Sequence, residues 1–252
     1  MDYPMYLEKQ KLAPTTIKNH IRNLASYSDD YSLQDNETQT IENLKQYSEG
    51  SRRQTMVSTL CKWRTYKNLS VEELHEFLKL SIDQTIAQNK ITSQQLDLPP
   101  LSHFKTKLNQ FYKEGNFKEF AVLYLLLTFQ TRNKDLVVNI QHTKSDFNQG
   151  NILYIRETSV VYIRNDYKTF CTYGQKKYII YSKKFRHAIS SLEGLLSDKQ
   201  THKQVQKITG GYSESDLMKV SVKHADSIGK LTKISKHRGT ALDTISGSYD
   251  VL

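Results

Sequence analysis

The sequence predicts a mainly α-helical protein that carries one small antiparallel β-meander. Apolar residues recur with helical spacing along most of the 252-residue chain. Three runs rich in β-branched and aromatic residues, NILYIRE, SVVYIRND and KKYIIYS, follow one another between short polar turns, a pattern typical of consecutive antiparallel strands. The stretch TSQQLDLPPL is polar and ends in Pro-Pro, which cannot continue a helix. We therefore expect two domains.

The predicted domains are a helical bundle at 1–92 and a larger, mostly helical domain at 102–252, joined by a linker at 93–101. In the bundle, Pro14 suits the first turn of a helix, and apolar residues then recur at helical spacing. Ser70 with a glutamate three residues later is a capping-box pattern. The further helices of the bundle are predicted over 38–47, 52–66 and 71–89.

In the larger domain, two helices are predicted before the strands, over His103–Lys113 and Phe117–Phe129. The second of these is the most apolar segment of the chain and predicts a buried helix. The three strand patterns follow it, and the helical pattern resumes from Lys184 to the end.

The charge balance indicates a polyanionic partner. The net charge is +10 and the sequence pI is about 9.3, and a basic protein without a membrane anchor most often binds nucleic acid. The longest apolar run, Ala121–Phe129, is about half the length that spans a bilayer. The acidic, non-apolar start MDYPMYLEKQ is not typical of a secretory signal. We expect no membrane association.

The cysteines and histidines indicate a protein of a reducing, intracellular compartment without a metal site. Cys61 and Cys171 are far apart and form no CxxC pair, and the eight histidines form no HExxH or HxH pattern. We therefore expect neither a structural disulfide nor a metal or other cofactor.

One segment of the bundle, SRRQTMVSTLCKWRTYK, combines cations with aromatic residues. Such a mixture suits phosphate contact together with packing against sugars or bases. Equally, long cationic side chains can lie over apolar surface with their charged ends in water. The candidate DNA-binding residues of the bundle are Lys18, Arg22, Arg52, Arg53, Lys62, Arg64 and Lys67.

Residues of the larger domain supply the chemical types needed to cleave a DNA phosphodiester. Arg132 follows directly on the most apolar helix, and Lys168 lies between two predicted strands. Near the end of the chain, His237 and Arg238 precede Tyr249. Attack by a tyrosine hydroxyl needs cations around the phosphate oxygens and a proton donor for the departing 5′ oxygen. None of these roles requires a metal.

The order of these features resembles the tyrosine recombinases, the family of phage-type integrases. YLEKQKLAPTTIKNHIRNL resembles their core-binding domain, and TFQTRNKDLVVNI resembles their first arginine box. NDYKTFCTYGQKKYII is similar to the hairpin-lysine region of recombinases from large DNA viruses, virophages and related elements. The resemblance covers nearly the whole chain through short motifs, and it implies a core-binding bundle followed by a recombinase-like catalytic domain.

By this resemblance, Arg132 clamps the phosphate, Lys168 is the general acid and His237 is the histidine that precedes the nucleophile. Tyr249 would form a 3′-phosphotyrosyl link. The family's His-x-x-Arg box, expected about thirty residues before the tyrosine, is absent. Lys219, or else Arg238, would take the place of the second arginine, with Asp216 at the histidine position and His224 as another candidate base. Lysine lacks the two-pronged geometry that arginine offers a phosphate.

The resemblance implies double-stranded DNA as partner and a homo-oligomer, from dimer to tetramer, assembled on it. For a viral protein the compartment would be the host nucleus or cytoplasm. Three functions stay open: a site-specific recombinase or integrase, a type IB topoisomerase, and a catalytically degenerate relative that binds DNA as a structural protein. A plain helical DNA- or RNA-binding module is the background alternative.

Overall fold

The computed structural model describes residues 2–95, 97–143, 149–197 and 201–249; for 89–95 and 246–249 it describes the backbone but not the side chains. The chain forms two compact units, Met1–Gln94 and Gln95–Leu252. The predicted linker, 93–101, overlaps the ends of two helices, since one runs to Gln95 and the next begins at Leu101. The prediction of a mainly helical protein is confirmed.

The first unit is a helical bundle. Its helices are α1 (Tyr3–Lys9), α2 (Pro14–Ser28), α3 (Glu37–Lys45), α4 (Ser51–Tyr66) and α5 (Glu72–Gln95). Side chains cap two of them, since Asp2 accepts the Met5 N–H and Asn36 accepts the Gln39 N–H. The bundle core is apolar and comprises Tyr27, Leu44, Met56, Val57, Leu60, Cys61 and Leu74.

The second unit wraps helices around a small sheet. Its helices are α6 (Leu101–Lys113), α7 (Phe117–Phe129), α8 (Phe170–Tyr173), α9 (Lys183–Ser190), α10 (Thr201–Thr209), α11 (Glu214–Lys223), α12 (Ile228–Arg238) and α13 (Leu242–Tyr249), with a 3₁₀ turn at Asn133–Leu136. The strands are β1 (Val138–Gln141), β2 (Asn151–Ile155), β3 (Val160–Arg164), β4 (Lys176–Ile180) and β5 (Gly194–Leu195). Helix α7 is buried in the core of this unit, as its apolar sequence predicts.

The prediction of a purely antiparallel meander is wrong. The three predicted strands do pair in antiparallel order as β2, β3 and β4, but β1 joins β2 in parallel and β5 joins β1. The sheet is therefore mixed, with strand order β4-β3-β2-β1-β5. β1 has four residues and β5 has two, so neither is long enough to show the alternation that identifies a strand in sequence.

Candidate functional site

Arg132 is held at the end of α7 by its backbone and by its guanidinium. Gln130 ends the helix in the left-handed conformation, with φ of 46°, and the Asp135 carboxylate accepts the Arg132 N–H at 3.0 Å. The guanidinium donates to the Arg238 carbonyl at 2.8 Å and to the Thr240 hydroxyl at 3.0 Å. Its donors therefore point at the carboxyl end of α12.

The carboxyl end of α12 accepts hydrogen bonds from side chains of four other segments of the unit: the Arg132 turn, β3, the β3–β4 connection and β4. Helix-terminal carbonyls lack intrahelical partners and carry the negative end of the helix dipole, so they attract cations. Four consecutive carbonyls accept from four side chains: Lys236 from Lys176, His237 from Arg164, Arg238 from Arg132, and Gly239 from Thr169. Three of the four donors are cationic, which creates a concentrated positive site.

Two lysines of the β3–β4 region differ in their surroundings. Lys168 is exposed in the connection before α8. Lys176, the first residue of β4, is half-buried, and its ammonium lies 5.2 Å and 5.0 Å from the ring centroids of Tyr167 and Tyr173. Burial, and then the charges of Arg164 and Arg132, lower the Lys176 pKa to about 8. Of the two, Lys176 is the lysine in contact with the carboxyl end of α12.

Sequence reasoning missed Lys176, although the strand pattern contains a signal for it. In KKYII, alternation places the first lysine on the inward face together with the tyrosine, and the observed burial of β4 follows that alternation. Arg164 was missed because an arginine at the end of an apolar run normally lies at the exposed end of a strand. Here every residue of β3 is buried, including Arg164.

His237 is a neutral imidazole packed between aromatic rings. Its Nδ1 donates to the Thr128 carbonyl at 3.1 Å, and its ring lies 5.2 Å from the rings of Phe129 and of Tyr178. Burial lowers the His237 pKa to about 4. Since Nδ1 carries the proton that is donated, Nε2 is a hydrogen-bond acceptor at neutral pH.

Arg238 is buried and joins three segments. It donates to the Gln130 carbonyl at 3.0 Å and to the Glu214 carboxylate at 2.8 Å. Glu214 begins α11 and also accepts the N–H of Asn133, the residue after Arg132. Arg238 therefore fixes the backbone on both sides of Arg132.

The residues named for the missing second box lie along α11. Asp216 and Ser213 form the capping box that starts this helix. Lys219 lies 4.0 Å from the Asp216 carboxylate, and His224 at the end of the helix donates from Nδ1 to the Val220 carbonyl. Two cations were candidates for the second arginine. Of these, Arg238 contacts Arg132, whose guanidinium donates to its carbonyl, and no described contact joins Lys219 to Arg132.

Tyr249 is the last residue of α13, and its side chain lies outside the described side chains. The helix that carries it begins at Leu242, shortly after the carboxyl end of α12. Ile245 on α13 is fully buried against Met218, Val222 and Leu231 of α11 and α12. The backbone that leads to Tyr249 is therefore anchored to α11 and α12.

Gly239 permits the close approach of the β3–β4 connection to α12. Its φ is 66°, and a Cβ atom there would lie 2.5 Å from the Thr169 hydroxyl. Gly150 has a similar φ of 63° but no atom within 4 Å of such a Cβ. We expect Gly239→Ala to lower the free energy of unfolding by more than Gly150→Ala, for which only the roughly 1 kcal/mol of backbone strain is expected. Urea unfolding of both variants measures the difference, and equal losses would contradict the close approach.

The cations of the bundle fall into two groups. The guanidiniums of Arg53 and Arg64 are buried and donate to backbone carbonyls, Arg53 to those of Tyr47 and Lys45 and Arg64 to those of Ser70 and Asp35. Lys18, Arg22, Arg52 and Lys67 are exposed, and Lys62 is half-buried. Arg22 and Arg52 line a cavity of about 360 Å³ between α2 and α4, together with Asn23, Ser26, Thr55 and Met56.

The adjacent arginines Arg52 and Arg53 make a matched pair for mutation. We expect Arg53→Met to lower the free energy of unfolding by about 1–3 kcal/mol, because it leaves the partly buried carbonyls of Tyr47 and Lys45 without their donor. Arg52→Met should leave stability nearly unchanged but weaken DNA binding and reduce its salt dependence by about one counterion. Chemical denaturation measures the first effect, and DNA titration at several salt concentrations measures the second. A loss of stability in Arg52→Met together with a loss of DNA binding in a stable Arg53→Met would contradict both expectations.

Three further observations concern the cysteines, metal-binding groups and membrane-spanning helices among the described residues. Cys61 is buried and Cys171 exposed, and both are free thiols. No group of three or more His, Cys, Asp or Glu side chains that could hold a metal occurs among the described residues. No helix in those residues is both long enough and apolar enough to cross a membrane.

Comparisons with known proteins give little beyond this geometry. No family model matches the chain, and no curated protein matches it. A solved structure described as the crystal structure of XerA recombinase aligns with 98% of this chain and 90% of that chain, at a TM-score of 0.37 and 10% sequence identity. A likeness of this size supports no conclusion about function, so the proposals below depend on the residues and contacts of the site.

Proposed function

We propose that the protein cleaves and rejoins double-stranded DNA through a 3′-phosphotyrosyl intermediate, as a site-specific recombinase or integrase. The observation that carries the proposal is the gathering of Arg132 and Lys176 at the carboxyl end of α12, directly before the helix that bears Tyr249. Clustered cations that converge beside a nucleophile are what phosphoryl transfer requires of a protein.

In the proposed reaction, the Tyr249 hydroxyl releases its proton to solvent as its oxygen attacks the scissile phosphorus and forms a new P–O bond. The P–O5′ bond breaks, and Lys176 supplies the proton that makes the departing strand a free 5′ hydroxyl. Arg132 neutralises charge that develops on the non-bridging oxygens. Attack of a 5′ hydroxyl on the phosphotyrosine reverses these bond changes, returns the proton and reseals a strand without an external energy source.

Arg132 and Lys176 would leave their carbonyl partners when DNA binds. A phosphate carries a full negative charge and offers several acceptor oxygens, so it competes well with a helix-terminal carbonyl for a guanidinium. Arg238, which is buried against Glu214, would remain in place and hold the Arg132 backbone. Lys219 would then contribute at most a more distant positive charge.

The bundle would add DNA affinity through its exposed cations, Lys18, Arg22, Arg52 and Lys67, with Lys62 beside them. Strand exchange between two sites would further require an oligomer, from dimer to tetramer, assembled on double-stranded DNA. We expect this assembly in a reducing compartment.

A DNA-binding protein without strand-transfer activity is the second candidate. It is favoured by the absence of a His-x-x-Arg box and by the occupation of the Arg132 and Lys176 donors by backbone carbonyls. A type IB topoisomerase would share the chemistry but act as a monomer. Relaxation of supercoiled DNA by the monomer distinguishes a topoisomerase from a recombinase.

A suicide substrate tests the function directly. Duplex DNA with a nick placed just 3′ of candidate cleavage positions loses its short leaving strand after cleavage, so the covalent complex accumulates and migrates slowly on a denaturing gel. Because the target sequence is unknown, a library of nicked duplexes is used and adducts are recovered by denaturing filter binding. Adduct formation supports strand transfer. Tight DNA binding with no adduct on any duplex favours the second candidate.

Lys176 gives the proposed reaction a characteristic pH dependence. Its pKa is near 8, so the amine is protonated and able to donate below that pH, and cleavage should slow as pH rises through about 8. Lys176→Ala should slow cleavage by about 10²–10⁴-fold. Lys168→Ala is the matched control and should cleave at nearly the wild-type rate. A substrate with sulfur in place of the bridging 5′ oxygen should restore the rate of Lys176→Ala, because a thiolate leaves without a proton. If Lys168→Ala is the slow variant, the general acid is Lys168.

A further inference from the structure

We infer that Arg164 is the positioning residue of this site: its buried guanidinium fastens the Arg132 turn to the carboxyl end of α12 and holds a fixed positive charge beside Lys176. The contacts that carry this inference are independent of DNA. Its consequence for cleavage rests on the proposed function.

Arg164 joins two segments that are distant in the sequence. It is the last residue of β3 and has no exposed surface. One Nη atom pairs with the equally buried Asp135 carboxylate, which also accepts the Arg132 N–H. The other Nη atom donates to the His237 carbonyl. Through Asp135, Arg164 therefore links the Arg132 backbone to α12, in addition to the link that Arg238 makes.

Arg164 also lies directly opposite Lys176 in the β3–β4 register. Like charges in opposing positions of an antiparallel pair repel each other. The Tyr167 ring contacts both cations, with its centroid 4.7 Å from the Arg164 guanidinium carbon and 5.2 Å from the Lys176 ammonium. The arrangement keeps the two cations close while an aromatic face screens part of their repulsion.

Several charged or titratable groups surround the Lys176 amine from the segments packed against β4. They are Arg164 on β3, Arg132 and Asp135 around the 3₁₀ turn, Tyr167 and Tyr173 in the β3–β4 connection, and His237 on α12. After burial, Arg164 is the largest cause of the lowered Lys176 pKa, ahead of Arg132, while Asp135 acts in the opposite direction. Removing the Arg164 charge should therefore raise that pKa.

The effect of the Arg164 charge on Lys176 is tested without DNA. The Lys176 amine is titrated by NMR in protein with labelled lysine, and its signal is assigned by its loss in Lys176→Arg. The variants are Arg164→Lys, which keeps the charge, and Arg164→Met with Asp135→Asn, which removes the ion pair without leaving one buried charge unpaired. The titration midpoint should stay near its wild-type value in Arg164→Lys and rise toward 10.5 in the double variant, because Arg164 lowers the Lys176 pKa by more than Asp135 raises it. A folded double variant with an unchanged midpoint overturns this part of the inference.

The positioning role is tested with Arg164→Lys, whose shorter ammonium cannot serve Asp135 and His237 together. Hydrogen exchange of the Arg132 amide should accelerate in this variant, since Asp135 is no longer fixed. Single-turnover cleavage should fall by about 10–100-fold at every pH, while the DNA dissociation constant changes little because Arg164 is buried. An unchanged Arg132 amide and an unchanged cleavage rate would together overturn the role.

The two proposals fail separately. If wild-type protein forms no adduct with any nicked duplex but the Lys176 midpoint and the Arg132 amide respond as expected, the function is wrong and the positioning role stands. If adduct forms and neither measurement responds, Arg164 is only a buried structural residue. Circular dichroism of each variant confirms that folded protein is compared, and Arg164→Lys supplies the test if the double variant unfolds.

Discussion

Tyr249→Phe is expected to abolish the covalent protein–DNA adduct while leaving DNA affinity unchanged. Phenylalanine lacks the oxygen that would attack phosphorus, and removal of a nucleophile is not compensated by the remaining groups of such a site. The variant should be folded, because the core contact of α13 is made by Ile245. Denaturing gels measure the adduct and equilibrium titration with an intact duplex measures affinity.

Tyr181→Phe is the matched control for this prediction. Tyr181 is 71% exposed just after β4, and its loss should leave adduct formation intact. If the adduct persists in Tyr249→Phe, the nucleophile is another residue, and peptide mapping of the adduct identifies it. If the Tyr249→Phe variant loses DNA binding together with the adduct, the tyrosine contributes to binding and the experiment no longer isolates chemistry.

Asp135→Ala is expected to cause the largest loss of stability among single substitutions in the site, about 3–5 kcal/mol in the free energy of unfolding. Asp135 and Arg164 form an ion pair in which neither side chain is exposed. Removing the carboxylate leaves a buried guanidinium without its counter-charge, and this costs more than the pair itself contributes. Urea unfolding followed by circular dichroism gives the value.

Asp166→Ala provides the contrast with an exposed ion pair. Asp166 pairs with Lys134, and their side chains are 57% and 63% exposed, so its loss should cost at most about 1 kcal/mol. Asp135→Asn combined with Arg164→Met should be less destabilising than Asp135→Ala alone, because no buried charge is left unpaired. Similar losses from Asp135→Ala and Asp166→Ala would show that the buried pair does not stabilise the second unit.

The prediction for Asp135 concerns stability, whereas those for Lys176 and Tyr249 concern the proposed chemistry. Under the proposed function, Asp135 would stabilise the Arg132 turn, Lys176 would supply a proton and Tyr249 would form the covalent bond. A loss of adduct with unchanged stability and DNA affinity therefore indicates a chemical role, whereas a loss that accompanies unfolding does not.

Much of the helical architecture could be predicted from the sequence. The bounds of α7 coincide with the predicted Phe117–Phe129, and α2 starts at the predicted Pro14, because apolar runs and helix-starting residues are local signals. The strands β2, β3 and β4 were likewise predicted from their β-branched and aromatic residues. The parallel pairing of β1 was not, since four residues with one exposed position carry too little pattern.

For the candidate site, the sequence predicted an arginine after a buried helix (Arg132), a lysine between two strands (Lys168), and His237, Arg238 and Tyr249 toward the end. Which of the described side chains lie together depends on the tertiary packing. Arg132 reaches the Arg238 carbonyl across 106 residues of sequence, and Lys176 rather than Lys168 contacts α12. The physical reason is that an unpaired helix-terminal carbonyl attracts whichever cation the packing brings to it, and that packing depends on segments far apart in the chain.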